Sequence, residues 1–149
     1  DRWERARILG FGEGSSVYDS VLVLGTVQVG ANCWIGPGCI LDGSGGALRI
    51  GSGCTISAGA QIYTHDTVLQ TVSARRSPIR SEATWIGDYV YVGPYAVVGR
   101  GVTIGDRAVI GAHSYVNRDV GTATVVAGQP ARRIGTISAD GTAMSFEAD

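Results

Sequence analysis

Large apolar residues recur in this chain at every sixth position, and that period constrains the fold more than any other feature. Phe11, Val17, Val23, Val29, Ile35 and Leu41 form one unbroken series. It resumes at Ile50, Ile56 and Ile62, and again at Ile86, Val92, Val98, Ile104, Ile110 and Val116, with Val126 beyond. Four residues after these positions stand small or β-branched residues, among them Cys33, Cys39, Cys54, Ala60, Ala96, Ala108, Ser114 and Val120. Side chains alternate across a strand, so positions i and i+4 share one side of a short strand. The remaining two residues of each six make a turn, where Gly and Asp gather. A helix does not accommodate this pattern. Six is a poor multiple of 3.6, and each of the 23 glycines would cost about 1 kcal/mol in a helix interior. The expected class is all-β.

Three strands to a coil place strand starts at 11, 17, 23, then 29, 35, 41, then 50, 56, 62, then 86, 92, 98 and finally 104, 110, 116. The period slips by three residues after Leu41, by 18 after Ile62 and by four after Val116. Each slip follows the third strand of its coil, so all three fall on one edge of a triangular prism. Coils stack at the interstrand spacing of about 4.8 Å. The reading is a parallel β-helix of about five to six coils over residues 11–135. A segment, 1–10, precedes it and a tail, 136–149, follows. One long loop, about 66–85, is extruded from the special edge.

Composition excludes several classes. Net charge is −1 and all twelve basic residues are Arg, so no global field argues for nucleic acid or an anionic membrane. No run of about 20 apolar residues exists. No basic stretch followed by an apolar one opens the chain, which points to a cytoplasmic protein. Three cysteines do not make a secreted disulfide framework. All three fall at the inward small position, where they act as buried small hydrophobes and meet neither metal nor substrate.

Only two histidines are present. His65 lies at the root of the long loop. Imidazole, with an ordinary pKa of about 6.5, suits proton abstraction from a hydroxyl or amine. Asp66 adjoins it, but neighbours on an extended strand point to opposite sides. It orients the ring only if the chain turns there, and otherwise caps the loop or meets a substrate. Loops of this length are usually functional or disordered, and the charges on this one, Arg75, Arg76, Arg80 and Glu82, either contact a negatively charged acceptor or are solvated. His113 sits on a different corner, roughly 10 Å further along the axis, as an exposed turn residue.

The hexads Val29-Gly30-Ala31-Asn32-Cys33-Trp34 and Ile104-Gly105-Asp106-Arg107-Ala108-Val109 resemble those of the hexapeptide-repeat acyltransferase family. The ending Ile110-Gly111-Ala112-His113-Ser114-Tyr115-Val116-Asn117-Arg118-Asp119-Val120, followed by Ala127-Gly128-Gln129-Pro130-Ala131-Arg132, is similar to the C-terminal signature of its sugar O-acetyltransferases. The resemblance, over roughly residues 11–135, implies a left-handed coil, acetyl-CoA as co-substrate, no metal, and a homotrimer with active sites between subunits. It implies a catalytic His beside the extended loop, here His65, acting on a sugar or nucleotide-sugar acceptor without an acyl-enzyme. It places the backbone of Ala112 and the region of Asn117 and Arg118 along the coenzyme, with Arg132 and Arg133 as its basic residues. Tyr91 is carried over to the acceptor side and Pro94 to the acyl donor. Arg118 stands where Lys is commoner, keeping the charge, and Asn117 where Thr is commoner. Two rivals remain. A γ-carbonic-anhydrase-like zinc enzyme needs three histidine ligands, and this chain has two. A non-catalytic β-helix leaves the long loop and its His without a purpose.

Overall fold

The computed structural model describes residues 1–148. The chain opens with helix α1 (Arg2–Ile8), capped by Asp1, whose side chain accepts from Glu4 N while Glu4 reaches back. This capping box starts a helix that the six-residue reading did not anticipate. Ala6 is buried, and the Arg5 guanidinium donates to the carbonyls of Tyr18 and Val21. The helix thus covers the first coil, built by β1 (Ser16–Val17) and β2 (Leu22–Val29).

The second coil holds β3 (Trp34–Ile35) and the long β4 (Ile40–Ile50). The third holds β5 (Thr55–Ile56) and β6 (Gln61–Ile62), after which the chain leaves the prism. Its excursion runs through β7 (His65–Asp66), helix α2 (Val68–Val72) and β8 (Arg80–Ser81) before returning as β9 (Thr84–Ile86). The fourth coil is β10 (Tyr91–Val92), β11 (Val97–Val98) and β12 (Thr103–Ile104). The fifth is β13 (Val109–Ile110), β14 (Tyr115–Val116) and a bridge from Ile104 to Val120. A sixth begins with β15 (Thr124–Gly128), and the chain then folds back as β16 (Ala131–Ile137) and β17 (Met144–Phe146).

Parallel pairing stacks these strands into three faces. One face runs β1-β3-β5-β10-β13-β15, with β16 and β17 added antiparallel. A second joins the first halves of β2 and β4 to β6, β11 and β14. The third joins their second halves to β9 and β12. The result is a left-handed parallel β-helix.

Most strands are two residues long, so ladder hydrogen bonds alone, each worth about 1 kcal/mol net, hold little. Burial does the holding. Val17, Ile35, Ile56, Val92 and Ile110 stack inward on the first face, and Leu41, Ile62, Val98 and Val116 on the second, all essentially inaccessible. Each such side chain contributes about 1.5–3 kcal/mol relative to exposure. Cys33, Cys39 and Cys54 are free and buried among them, their thiols donating to the carbonyls of Gly51, Ser57 and Gly87.

Two details differ from the sequence reading, and a third settles an alternative that it left open between a flexible tail and a packed strand. Val120 is an inward third-face residue paired with Ile104, so the last slip is a shortened corner, four residues after Val116, and Val126 follows six later. The long loop begins before 66 and ends by Thr84, because Trp85 already pairs with Arg49 and Thr103. The tail expected from 136 to 149 includes the end of β16 and all of β17, and Asp149 lies outside the described residues. No helix among the described residues is long and apolar enough to cross a membrane.

Candidate active site

The special edge separates the second and third faces. At its third coil the chain turns outward, and β7 pairs antiparallel with β8, matching His65 to Ser81 and Asp66 to Arg80. This neck anchors the excursion. Thr64 O accepts from Glu82 N at 2.9 Å, and Thr84 Oγ1 donates to Tyr63 O at 2.8 Å. The Arg100 guanidinium clamps the neck from the next coil, with Nε donating to Asp66 Oδ2 at 2.6 Å and another nitrogen to Glu82.

His65 lines an open cleft of about 290 Å³ with Tyr63, Asp66, Val97, Gly99, Arg100, Tyr115 and Asn117. Its side chain keeps 29% of its surface exposed, enough to meet a ligand. The carboxylate beside the ring belongs to Asp42, not Asp66. Asp42 Oδ2 lies 3.3 Å from His65 Nδ1, and the Asp42 side chain is only 4% exposed. Asp66, which also lines the cleft, turns its carboxylate away from the ring to other partners. It accepts from Val68 N at 2.9 Å and from Arg100, contacts that hold its carboxyl below the usual range. Tyr63 donates to Gln61 Oε1 at 2.7 Å, and burial together with the charge of Asp42 pushes its phenol up.

The other sequence candidates are dispersed along the prism. Asn117 lies in the His65 cleft, while Arg118, Arg132 and Arg133 share a second cavity of about 440 Å³ with Asp119 and Thr124 at the C-terminal end. Pro94 and Ala112 stand on the corner between the first and second faces, where Pro94 O accepts from His113 N at 2.9 Å. There His113 stacks on Tyr95, with ring centroids 5.5 Å apart. Tyr91 points outward from the first face, where it lines a groove with Val109 and Met144. Arg75 and Arg76 are exposed beyond α2 and do not line the cleft. No group of three or more His, Cys, Asp or Glu among the described residues is placed to hold a metal ion, and the two histidines occupy different corners.

Asp42 was not among the sequence candidates. It lies 23 positions before His65, and only the stacking of coils brings them together. A signal did exist, because the slip after Leu41 begins at Asp42 and falls on the same edge as the long loop.

The chain matches two hexapeptide-repeat family models that together span half of it: "Bacterial transferase hexapeptide (six repeats)" over residues 83–118 and "Hexapeptide repeat of succinyl-transferase" over 26–64. Among solved structures, the hexapeptide-repeat-containing acetyltransferase VCA0836 of Vibrio cholerae is 28% identical, covering 91% of this chain and 81% of that one, with TM-score 0.70. Galactoside acetyltransferase in complex with coenzyme A is 26% identical, covering 86% of this chain and 64% of that one, with TM-score 0.64. AntD, an N-acyltransferase from Bacillus cereus in complex with dTDP and 3-hydroxybutyryl-CoA, is 19% identical over 87% of this chain and 73% of its own, with TM-score 0.77. At that identity the last shares the fold alone. Repeat, coil and broken edge together make this chain a member of the hexapeptide-repeat acyltransferase family.

Proposed function

We propose that the protein transfers an acetyl group from acetyl-CoA to a hydroxyl or amine of a sugar or nucleotide-sugar acceptor, with His65 as general base. The observation that carries this reading is a partly exposed imidazole, seated against a buried carboxylate, at the mouth of a cleft on the interrupted edge. VCA0836 and galactoside acetyltransferase, by name acetyltransferases, share this architecture.

A sugar hydroxyl is a poor nucleophile until its proton is taken. His65 accepts that proton as the oxygen attacks the thioester carbonyl, which acetyl-CoA supplies as its reactive group, and coenzyme A leaves as the thiol. No acyl-enzyme is needed, and no cysteine lines the cleft. Arg118, Arg132 and Arg133 offer cations suited to the coenzyme's phosphates. Asn117 in the cleft adjoins Arg118 in that second cavity, so one stretch of chain links the thioester end to the phosphate end. The backbone of Ala112, with Pro94, completes the coenzyme path, and Tyr91, Arg75 and Arg76 are assigned to the acceptor side. Trp34, Trp85 and Tyr91, exposed on the prism faces, suit burial between three copies of the chain, and the setting proposed is the cytoplasm.

The test is thiol release from acetyl-CoA with a panel of free and nucleotide-linked sugars. Loss of a general base costs about 10²–10⁴-fold, so His65→Ala is expected to fall by that factor. Equal turnover by the variant removes His65 from the reaction.

A further inference from the structure

The interruption after Leu41 begins within the ladder, where Asp42 and Gly43 pair with Leu24 and Gly25 of β2, and then leaves it. Ile50 lies nine positions after Leu41 where six suffice, and β4 carries the three-residue surplus within Asp42-Gly43-Ser44-Gly45-Gly46-Ala47. This bulge packs directly beneath His65. A Cβ on Gly45 would stand 2.5 Å from His65 Cβ and 2.6 Å from Thr64 O. Buried Thr64 locks it there, donating through Oγ1 to Asp42 O at 2.9 Å and accepting from Gly45 N and Gly46 N at 3.1 and 3.2 Å.

The hydrogen-bond directions around the bulge leave one choice open to the imidazole. Asp42 Oδ1 accepts from Ser44 N at 2.8 Å and from Ser44 Oγ at 2.5 Å. The single hydroxyl proton of Ser44 is therefore spent on the carboxylate. Toward His65 Nδ1, 3.5 Å away, Ser44 Oγ presents only lone pairs. Asp42 Oδ2, 3.3 Å from the same nitrogen, is likewise an acceptor when ionised. Two acceptors facing Nδ1 are compatible with a proton there and repel a lone pair. In a neutral imidazole the other nitrogen, Nε2, then carries the lone pair.

We infer that Asp42, seconded by Ser44, is a positioning residue that holds His65 as its Nδ1–H tautomer and so reserves Nε2 for proton abstraction. The inference rests on the reading of His65 as general base. At 3.3 Å the contact is an ion-pair distance and not yet a hydrogen bond, as is common before substrate binds, and the inference requires it to shorten as positive charge develops on the ring. Of the other charged or titratable groups at this edge, Asp66, Glu82 and Arg100 are engaged with one another across the neck, Arg80 is exposed and pairs with Asp66 through the backbone, and the Tyr63 phenol is held by Gln61. None of them contacts Nδ1.

The decisive measurement needs no acceptor. ¹⁵N chemical shifts of the His65 ring, recorded on the purified protein where the ring is neutral, report which nitrogen carries the proton. Wild type is expected as Nδ1–H. In Asp42→Asn the amide can turn its NH₂ toward Nδ1, so the tautomer is expected to switch to Nε2–H. With an acceptor in hand, kcat of that variant falls by about 10²-fold or more while KM for the acceptor changes less than threefold, as when the orienting carboxylate of a serine-protease triad becomes an amide. Ser44→Ala, milder because Asp42 remains, keeps the Nδ1–H tautomer and loses under tenfold in kcat. An Nε2–H tautomer in wild type, or unchanged tautomer and kcat in a folded Asp42→Asn, overturns the inference. Should the tautomers behave as stated while His65→Ala still turns over, the general-base reading fails and the positioning contact stands.

Discussion

At the scale of single residues, the informative contrast lies between Asp66 and Asp42. Sequence adjacency made Asp66 the natural neighbour of His65, yet its carboxylate turns away to Val68 N and Arg100. Its contribution has a pH signature. The folded-state pKa lies below the ordinary value of about 3.9, so the contribution is fully present above about pH 4. It is lost as pH falls through the depressed folded value. Amide protection at Val68, measured by hydrogen exchange, is expected to drop on acidification below pH 4. The drop disappears in Asp66→Asn, which lacks the charge at every pH. His65 was legible because histidines are few and one of them marks the largest break. Asp42 was not, since no local pattern relates residues in stacked coils.

At the scale of elements, the period specified the inward strand residues from Val17 to Val116 apart from Leu48 and Thr84, which lie where the chain departs from it. Short helices escaped because α1 and α2 are too brief to show a 3.6-residue apolar stripe. The capping pair Asp1 and Glu4 was the available sign of α1. The β4 bulge is the element most open to test. Gly45→Ala places a methyl group against Thr64 O and His65 Cβ, and crowding of this kind costs about 1–3 kcal/mol. A fall in stability of that size by chemical denaturation is expected, together with lower activity as His65 is displaced. Unchanged stability and turnover would show that the bulge does not support the ring.

At the scale of the whole molecule, the prism leaves Trp34, Trp85, Tyr91 and Tyr115 standing out from three faces. Helix α2 exposes Val68, Leu69 and Val72 and has no buried residue. So much unburied aromatic and aliphatic surface suits an assembly. Sedimentation equilibrium is expected to return three chains per particle. Trp85→Glu, on the third face beside Arg49, is expected to shift that mass toward one chain if the face is an interface. A monomeric wild type would remove the proposed trimer and with it any site shared between copies.

The chain's periodicity, by itself, determined the coil's strands, most of its inward residues and the single edge where the repeat breaks, because each hexad encodes its strand and corner locally. Only the tertiary structure decided which carboxylate meets His65, which arginine closes the neck, and that the small slip after Leu41 is part of the site. Those pairings join residues that are distant in sequence and adjacent only because coils stack one strand spacing apart. No local rule of sequence can see across that step.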